Sequence, residues 1–410
     1  MKIQGVRALE ILDSRGNPTV QAEVRLSGGV VAIAQVPSGA STGRHEALEL
    51  RDTANRARFR GKGVLQALQN VEQALGPAVF GLPADDQAAL DRRMIGLDGT
   101  PDKSRLGANA ILAISCAAAR AAALARDIPL WKHLSEMSTS PAPRMPNPMI
   151  NIISGGLHAG RNLEFQDFLA IPRGYPDLIS ALEATVRVHR ETERILKKRG
   201  YLMTGVADEG GWGPHLESNE RAVAVLREAI EAAGASMDIA LDVASTHFYA
   251  DGVYTVANQR LSATDMGEML QAWIPRYGVV SIEDPCAEDD WAGWQAITAR
   301  LGDKVRLVGD DLFVTNPLRL ERGIRERAAN SVLVKMNQIG TLTETFQVID
   351  RARDAGFGAV ISARSGETED SFLADLAVAS GAGQIKIGSV TRSERLAKYN
   401  RLLQIEKWEL

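Results

Sequence analysis

Val279-Val280-Ser281-Ile282-Glu283 is a short apolar run that ends on an acid, and it has a counterpart on either side of it in the chain. Ile239-Ala240-Leu241 runs into Asp242, and Val305-Arg306-Leu307-Val308-Gly309 runs into Asp310. Runs this rich in branched aliphatic residues read as strands buried on both faces, the habit of parallel sheets. Such strands expose only their ends. One acid at a strand end is ordinary. The same feature on three runs in succession points to one pocket lined by carboxylate oxygens. Oxygen donors alone suit a hard divalent cation, above all Mg²⁺.

Further along, the pattern continues with cations. Ser331-Val332-Leu333-Val334 runs into Lys335, Gly358-Ala359-Val360-Ile361 leads to Arg364, and Gln384-Ile385 ends at Lys386. Helical stretches lie between. The clearest is Thr341 to Ala355: Thr341 and Glu344 have capping-box spacing, Leu342, Phe346, Ile349 and Ala352 form an apolar stripe, and Gly356 follows as a stop. Strand and helix alternating at roughly 25–40 residues per unit is how a (β/α)₈ barrel is written, and in that fold the strand C-termini carry the chemistry. The expected site therefore sets Asp242, Glu283 and Asp310 against Lys335, Arg364 and Lys386.

A chain of 410 residues has room for a barrel and a second domain. With 45% hydrophobic and 24% charged residues it is globular rather than disordered. A net charge of −4 gives no general attraction for nucleic acid or anionic membrane. Cys116 and Cys286, the only cysteines, sit in apolar or crowded contexts, so the expectation is no disulfide and a cytoplasmic protein. Met1 to Gly5 lacks the apolar core of a secretory signal before Arg7 and Glu10. Ala108 to Leu124 is the most apolar stretch, but Arg120 interrupts it. A buried Ala-rich helix is expected there, since a membrane span needs about 20 uninterrupted apolar residues.

Ser138 to Pro148 is crowded with prolines and reads as neither helix nor central strand. It is expected to link an N-terminal α+β domain, residues 1–137, to the barrel, residues 149–410. Within the first domain Thr19 to Leu26 alternates as a half-exposed strand, Gly28-Gly29 turns the chain into Val30 to Ile33, and Val64 to Leu75 reads as helix with Leu65, Leu68, Val71 and Leu75 on its buried face. Pro37 to Gly43 reads equally well as a lid or as a turn-rich surface loop. Asp208-Glu209-Gly210-Gly211 lacks the strand–glycine loop–helix context of a phosphate cradle, so Glu209 reads as a positioned general acid. Gly61-Lys62-Gly63 reads as a turn, and His133, His189 and His215 as surface residues.

These residues carry a resemblance. Asp13-Ser14-Arg15-Gly16-Asn17-Pro18-Thr19-Val20, Pro37 to Gly43, Arg105-Leu106-Gly107-Ala108-Asn109, Asp208 to Gly211 and Ser281-Ile282-Glu283-Asp284-Pro285 appear in order. Gly309-Asp310-Asp311-Leu312, Lys335 to Thr341, Arg364-Ser365-Gly366-Glu367-Thr368 and Arg392-Ser393-Glu394-Arg395 complete the set. Over essentially its whole length the chain resembles the enolase family. The resemblance implies an α/β fold with a modified (β/α)₈ barrel beneath an N-terminal α+β capping domain, two Mg²⁺ ions, and a homodimer or higher homo-oligomer. It implies a glycolytic hydro-lyase that converts 2-phosphoglycerate to phosphoenolpyruvate, with a small phosphorylated or phosphonylated hydroxy acid as substrate.

By position, Asp242, Glu283 and Asp310 resemble the ligands of the tighter metal, and Ser41 a lid ligand of the second. Lys335 resembles the base and Glu209 the acid that helps hydroxide leave. Gln166 and Lys386 resemble partners of the substrate carboxylate and metal water, Arg364 and Ser365 a phosphate clamp, and His158 a further contact. Asp284 and Asp311, beside ligands, read as supporting residues. Three places depart from the family's usual pattern: Ala363 stands where a His precedes the Arg-Ser clamp, Asp167 where a Glu follows Gln166, and Thr246-His247-Phe248 where a Ser-Glu-Phe run is usual. Ala363 and Asp167 concern the substrate pocket. They open one alternative, a paralogue that dehydrates a phosphonate or other close analogue in a biosynthetic pathway; a separate one, a homologue that binds without catalysis, has the intact acid, base and metal set against it. The chemistry itself requires such a set. Removing a proton α to a carboxylate builds a dianion that cations must stabilise, and a lysine base must be neutral, which neighbouring cations favour.

Overall fold

The computed structural model describes residues 1–40, 43–139 and 142–410, so Ser41, the expected lid ligand, lies outside the described residues. The chain opens with an antiparallel meander, β1 (Ile3–Leu12), β2 (Pro18–Leu26) and β3 (Val31–Gln35). Val20, Ala22 and Val24 of β2 are buried beneath the helix Ala108–Ala125, which packs across β2 and β3. Its alanines present little more than methyl groups, so the helix backbone lies close to the sheet. This helix is long and apolar enough to cross a membrane, but 83% of that window is buried, and it forms the cap's core. Its one charge, Arg120, pairs with Asp370 at 2.6 Å and lies over the Phe372 ring, tying cap to barrel.

The stretch Val64 to Leu75 is helical, and Val71 and Leu75 are buried as expected, but Leu65 is not. Residues Val71–Leu75 are wound as a π-helix between two short α-helical pieces, Leu65–Asn70 and Gly76–Val79. Val64, Ala67, Val71 and Leu75 are buried, whereas Leu65 is 47% exposed.

Among the described residues, eight strands close the barrel: β4 (Asn147–Ser154), β5 (Asp167–Pro172), β6 (Met237–Asp242), β10 (Val279–Glu283), β11 (Arg306–Gly309), β12 (Ser331–Val334), β13 (Gly358–Ser362) and β14 (Gln384–Gly388). A small sheet of β7 (Tyr249–Ala250), β8 (Val253–Val256) and β9 (Gln259–Leu261) follows β6. The β4 strand starts inside the proline-rich stretch expected to hold no central strand: Pro148 pairs in register with Ile385. A proline is admitted there because Asn147, just before it, donates its N–H to Gly383 O at 2.9 Å.

Strict strand–helix alternation fails once. The β5 strand runs antiparallel to both β4 and β6. Residues 155–166 hold only a 3₁₀ turn, Gly156–Ala159, and a parallel return needs a longer crossover than that. Two helices, Leu178–Lys198 and Asn219–Ala232, then precede β6. The reversal brings two loops, 155–166 and 199–218, to the mouth where the parallel strands end.

The helix expected at Thr341 to Ala355 spans Leu342–Asp354, and Thr341 Oγ1 accepts from Glu344 N at 3.2 Å. Inside the barrel, Met149, Leu169, Ile171, Ala240, Val308, Leu333 and Val360 form an apolar plug. Side chains alternate along a strand, so residues two places from the plug face the lumen too. Above it stand Asp310, Lys335 and Ser362; below it stand Arg306, Ser331 and Gly358.

His133 and His189 are buried rather than on the surface, while His215 is exposed. His189 stacks on Trp212 with ring centroids 4.7 Å apart, and His133 Nδ1 lies 3.0 Å from Arg126 Nη1. Burial pushes both imidazoles below their ordinary range.

Candidate active site

The three acids stand together at the upper mouth. Asp242 closes β6, Glu283 closes β10 beside it in register, and Asp310 follows Gly309 of β11. All three are buried. Lys386 of β14 sets its Nζ between two of them, 2.8 Å from Asp242 Oδ2 and 2.8 Å from Glu283 Oε2. Lys335 Nζ lies 2.5 Å from Asp310 Oδ2, whose other oxygen accepts from Gln338 Nε2 at 2.9 Å. Gln166 Nε2 donates to Asp242 Oδ2 at 3.2 Å. Asp284, Asp310 and Asp311 also bring oxygens within 4.8 Å of one another. Asp284 however accepts the N–H groups of Asp310 (2.9 Å) and Asp311 (2.8 Å), so it shapes the turn that aims Asp310.

These residues fit a hard cation. Burial and the neighbouring Asp242 push the Glu283 carboxyl well above the carboxylate range. Among the described residues Glu283 Oε1 and Gln166 Oε1 are buried without a partner. A divalent ion among Asp242, Glu283 and Asp310 would answer both the crowded charge and the orphaned oxygens, and an all-oxygen set suits Mg²⁺. The expected second ion leans on Ser41, outside the described residues.

The lysine differs from expectation. Burial, Arg364 and Lys386 all act to lower the Lys335 ammonium's pKa, but Asp310 prevails and holds it above its ordinary range. Engaging the Asp310 charge elsewhere would remove the main group that holds this lysine protonated.

Across the mouth, Arg364 Nη1 donates to Glu46 Oε2 at 3.0 Å and to Asn337 Oδ1 at 2.9 Å. Ser365 Oγ accepts from Ala40 N at 2.6 Å. Ser38 and Gly366 exchange two backbone bonds, of 2.7 and 2.9 Å, so cap and clamp loop form one short ladder. A Cβ on Gly366 would lie 2.5 Å from Ser38 O and from Asp13 Oδ2, which is why glycine stands there. Ala363 is buried and bonded through its backbone, N–H to Lys386 O at 2.8 Å. Its methyl offers the pocket no donor.

The third part lies on the two loops that the reversed strand brings up. His158 Nδ1 is 2.9 Å from Asp167 Oδ2, and His158 Nε2 is 3.9 Å from Glu209 Oε1. Asp167 Oδ1 also accepts from Asn151 Nδ2 at 2.5 Å and from Ser154 Oγ at 3.2 Å. Asp167 therefore backs His158, with its oxygens committed to protein donors. Burial alone would push the imidazole down, but Asp167 and Glu209 outweigh it and raise His158 to about 9. The same charges act on Glu209: burial opposes ionisation, yet His158, Arg395, Lys386 and Lys335 keep it below its ordinary value. The Glu209 loop is tied to the end of the barrel by hydrogen bonds. Ser389 N donates to Glu209 O at 2.8 Å, and Gly210 O accepts from Thr391 Oγ1 at 2.8 Å.

Sequence reasoning missed Glu46, Asn151 and Arg395. The last is fully buried, with its guanidinium on the carbonyls of Arg364, Ser365 and Ile387. Only Arg395 had a linear signal, as part of the Arg392 to Arg395 motif.

An α+β cap on a barrel, with acids at three strand ends and a lysine and a carboxylic acid facing them, defines a class: metal-dependent lyases that eliminate water from small hydroxy acids. Residues 3–134 match the family model of the enolase N-terminal domain, and residues 142–409 match that of the enolase C-terminal TIM barrel domain. The chain belongs to the enolase family and is a Mg²⁺-dependent dehydratase of that superfamily.

Proposed function

We propose that the substrate is 2-phosphoglycerate and that the product pair is phosphoenolpyruvate and water. The observation that carries this reading is the separation of Lys335 and Glu209 on different elements, β12's end and the 199–218 loop, with the acid cluster nearby. Lys335 Nζ, once neutral, accepts the proton on the carbon next to the carboxylate. The electron pair left behind moves into the carboxylate and makes an ene-diolate. The hydroxyl on the neighbouring carbon then leaves as water with a proton from Glu209, once that carboxyl is protonated, and the double bond forms. Bound Mg²⁺ would stabilise the added negative charge of that ene-diolate.

Lys386 Nζ and Gln166 Nε2, already aimed at Asp242, orient the substrate carboxylate. Arg364 and Ser365 hold the phosphate, Arg364 exchanging the Glu46 carboxylate for phosphate oxygens of the same fork geometry. His158, backed by Asp167, faces Glu209 Oε1 at 3.9 Å and contacts the departing hydroxyl beside it. The test is formation of phosphoenolpyruvate from 2-phosphoglycerate, followed by absorbance, together with solvent-deuterium exchange at the α-carbon. Absence of both would refute the reading.

A second reading rests on Ala363 and Asp167. A methyl group beside the clamp and a carboxylate already committed to His158, Asn151 and Ser154 suit an analogue with an altered phosphorus group, such as a phosphonate. Higher kcat/KM on a phosphonate analogue than on 2-phosphoglycerate would select it.

A further inference from the structure

Below the plug, the barrel opens into a second polar chamber, at the end opposite the acids. The cavity has a volume of about 590 Å³ and is lined by Ser281, Arg306, Ser331, Gly358 and Gln384, with Lys304 and Asp303 exposed at its rim. Ser281 and Arg306 are register partners on β10 and β11, so their side chains share a face. Ser331 and Gly358 are partners on β12 and β13. The chamber is thus built from lumen-facing positions of the same strands that carry the upper site.

Its chemistry is one-sided. Arg306 donates through Nη1 to Gln384 Oε1, which leaves the Gln384 amide nitrogen as a further donor. Among the described residues Arg306 has no ion-pair partner. Burial and the repulsion of nearby Arg144 press its guanidinium below the ordinary range. Ser281 is 98% buried, and its Oγ has no partner among the described residues. A buried hydroxyl without a partner is costly, and so is a half-buried cation without a counter-charge. Gly358 keeps the space open, since a Cβ there would lie 2.7 Å from Ser331 Oγ and 3.3 Å from Arg306 Cζ.

We propose that this chamber binds a small oxyanion, a phosphate or carboxylate group that accepts from Arg306, Ser281 Oγ and the Gln384 amide. The site is separate from the upper mouth, from which the plug of Val308, Leu333 and Val360 divides it. Its lining holds donors where the upper site holds acids, so its ligand needs no metal.

The experiment titrates inorganic phosphate and, separately, malonate into metal-free full-length protein by calorimetry. It uses the Arg364→Gln variant, which silences the phosphate clamp above. Saturable binding of either anion that falls about tenfold or more on adding Arg306→Gln, and again on adding Ser281→Ala, supports the site. Phosphate alone would mark a tetrahedral ligand, and malonate a carboxylate. Ser281→Ala removes a hydroxyl without a protein partner, so it leaves the fold and thermal midpoint unchanged when no anion is present. No saturable binding in the Arg364→Gln background, or binding indifferent to both lower substitutions, would overturn the proposal.

Discussion

The two mouths of the barrel are made from the same strands and filled by opposite rules. At the upper mouth every cation is answered: Lys386 by Asp242 and Glu283, Lys335 by Asp310, Arg364 by Glu46. Beneath β10 to β13, Arg306 and its neighbour Arg144 meet no buried acid among the described residues, and Asp303 stands only at the rim. Alternating charges at one end hold each other in place before substrate arrives, so the entry of an ion and an acid substrate exchanges partners instead of creating charge. Such preorganisation is the usual source of electrostatic catalysis. Inside its rim the other end carries, among the described residues, one sign of charge and a hydroxyl without a partner, a surface ready for an anion and unsuited to proton transfer.

The largest expected effect tests the metal half of the upper mouth. Chelation should abolish turnover and added Mg²⁺ restore it, and Asp310→Asn should raise the Mg²⁺ concentration needed, because one anionic oxygen is lost. An unchanged Mg²⁺ titration in that variant would move the ion elsewhere. Next come the proton carriers. Lys335→Ala should cost roughly a hundred- to ten-thousand-fold in kcat and eliminate α-proton exchange with deuterium oxide. Glu209→Gln should keep some exchange while losing dehydration. Equal loss of exchange in both would erase the division of roles.

A smaller change is expected in the pocket. Ala363→His with Asp167→Glu restores a donor beside the clamp, worth about 1.5–3 kcal/mol, or roughly ten- to hundred-fold in kcat/KM on 2-phosphoglycerate. If the native protein already turns over 2-phosphoglycerate faster than the double variant, the altered-substrate reading falls. The plug that separates the mouths should matter for stability more than for chemistry. Leu333 is wholly buried, and Leu333→Ala should cost about 2–5 kcal/mol in denaturant unfolding. The smallest effect is on turnover by Arg306→Gln. It should leave kcat/KM for the upper site unchanged, and a marked loss would show that the two mouths are not independent.

Much of the upper mouth was legible because strands buried on both faces write continuous apolar runs, and the first polar residue after each run marks the strand's end. Asp242, Glu283, Asp310 and Lys335 announced themselves that way. The helix at Leu342–Asp354 was legible from its cap and stripe, which are local signals. The direction of β5 was not. Strand direction is settled by the connection, and residues 155–166 have neither helical nor strand periodicity. In the helical stretch Val64 to Leu75 the misreading lay at the start: Val71 and Leu75 are buried as expected, but Val64 and Ala67 face the core there while the more apolar Leu65 is turned outward. His189 could have been read correctly. It lies on the stripe of Thr185, Val188 and Thr192, all buried, and only its polar character argued for the surface. Glu46 had no signal, since its role exists only where the cap meets Arg364.

The reversed strand has a consequence for how this enzyme can be altered. In an ordinary barrel each strand lends the mouth one loop, so changing one step of a reaction means editing several units at once. Here Gln166, Asp167, His158 and Glu209 all fall within one contiguous insert between β4 and β6, while the metal acids, Lys335 and the Arg364 clamp fall outside it. On the proposed roles, protonation of the leaving group is thereby housed in a cassette. Residues 155–236 could be exchanged as a block with those of a relative, and the acid half of the chemistry would travel with them while the proton-abstracting half stayed behind.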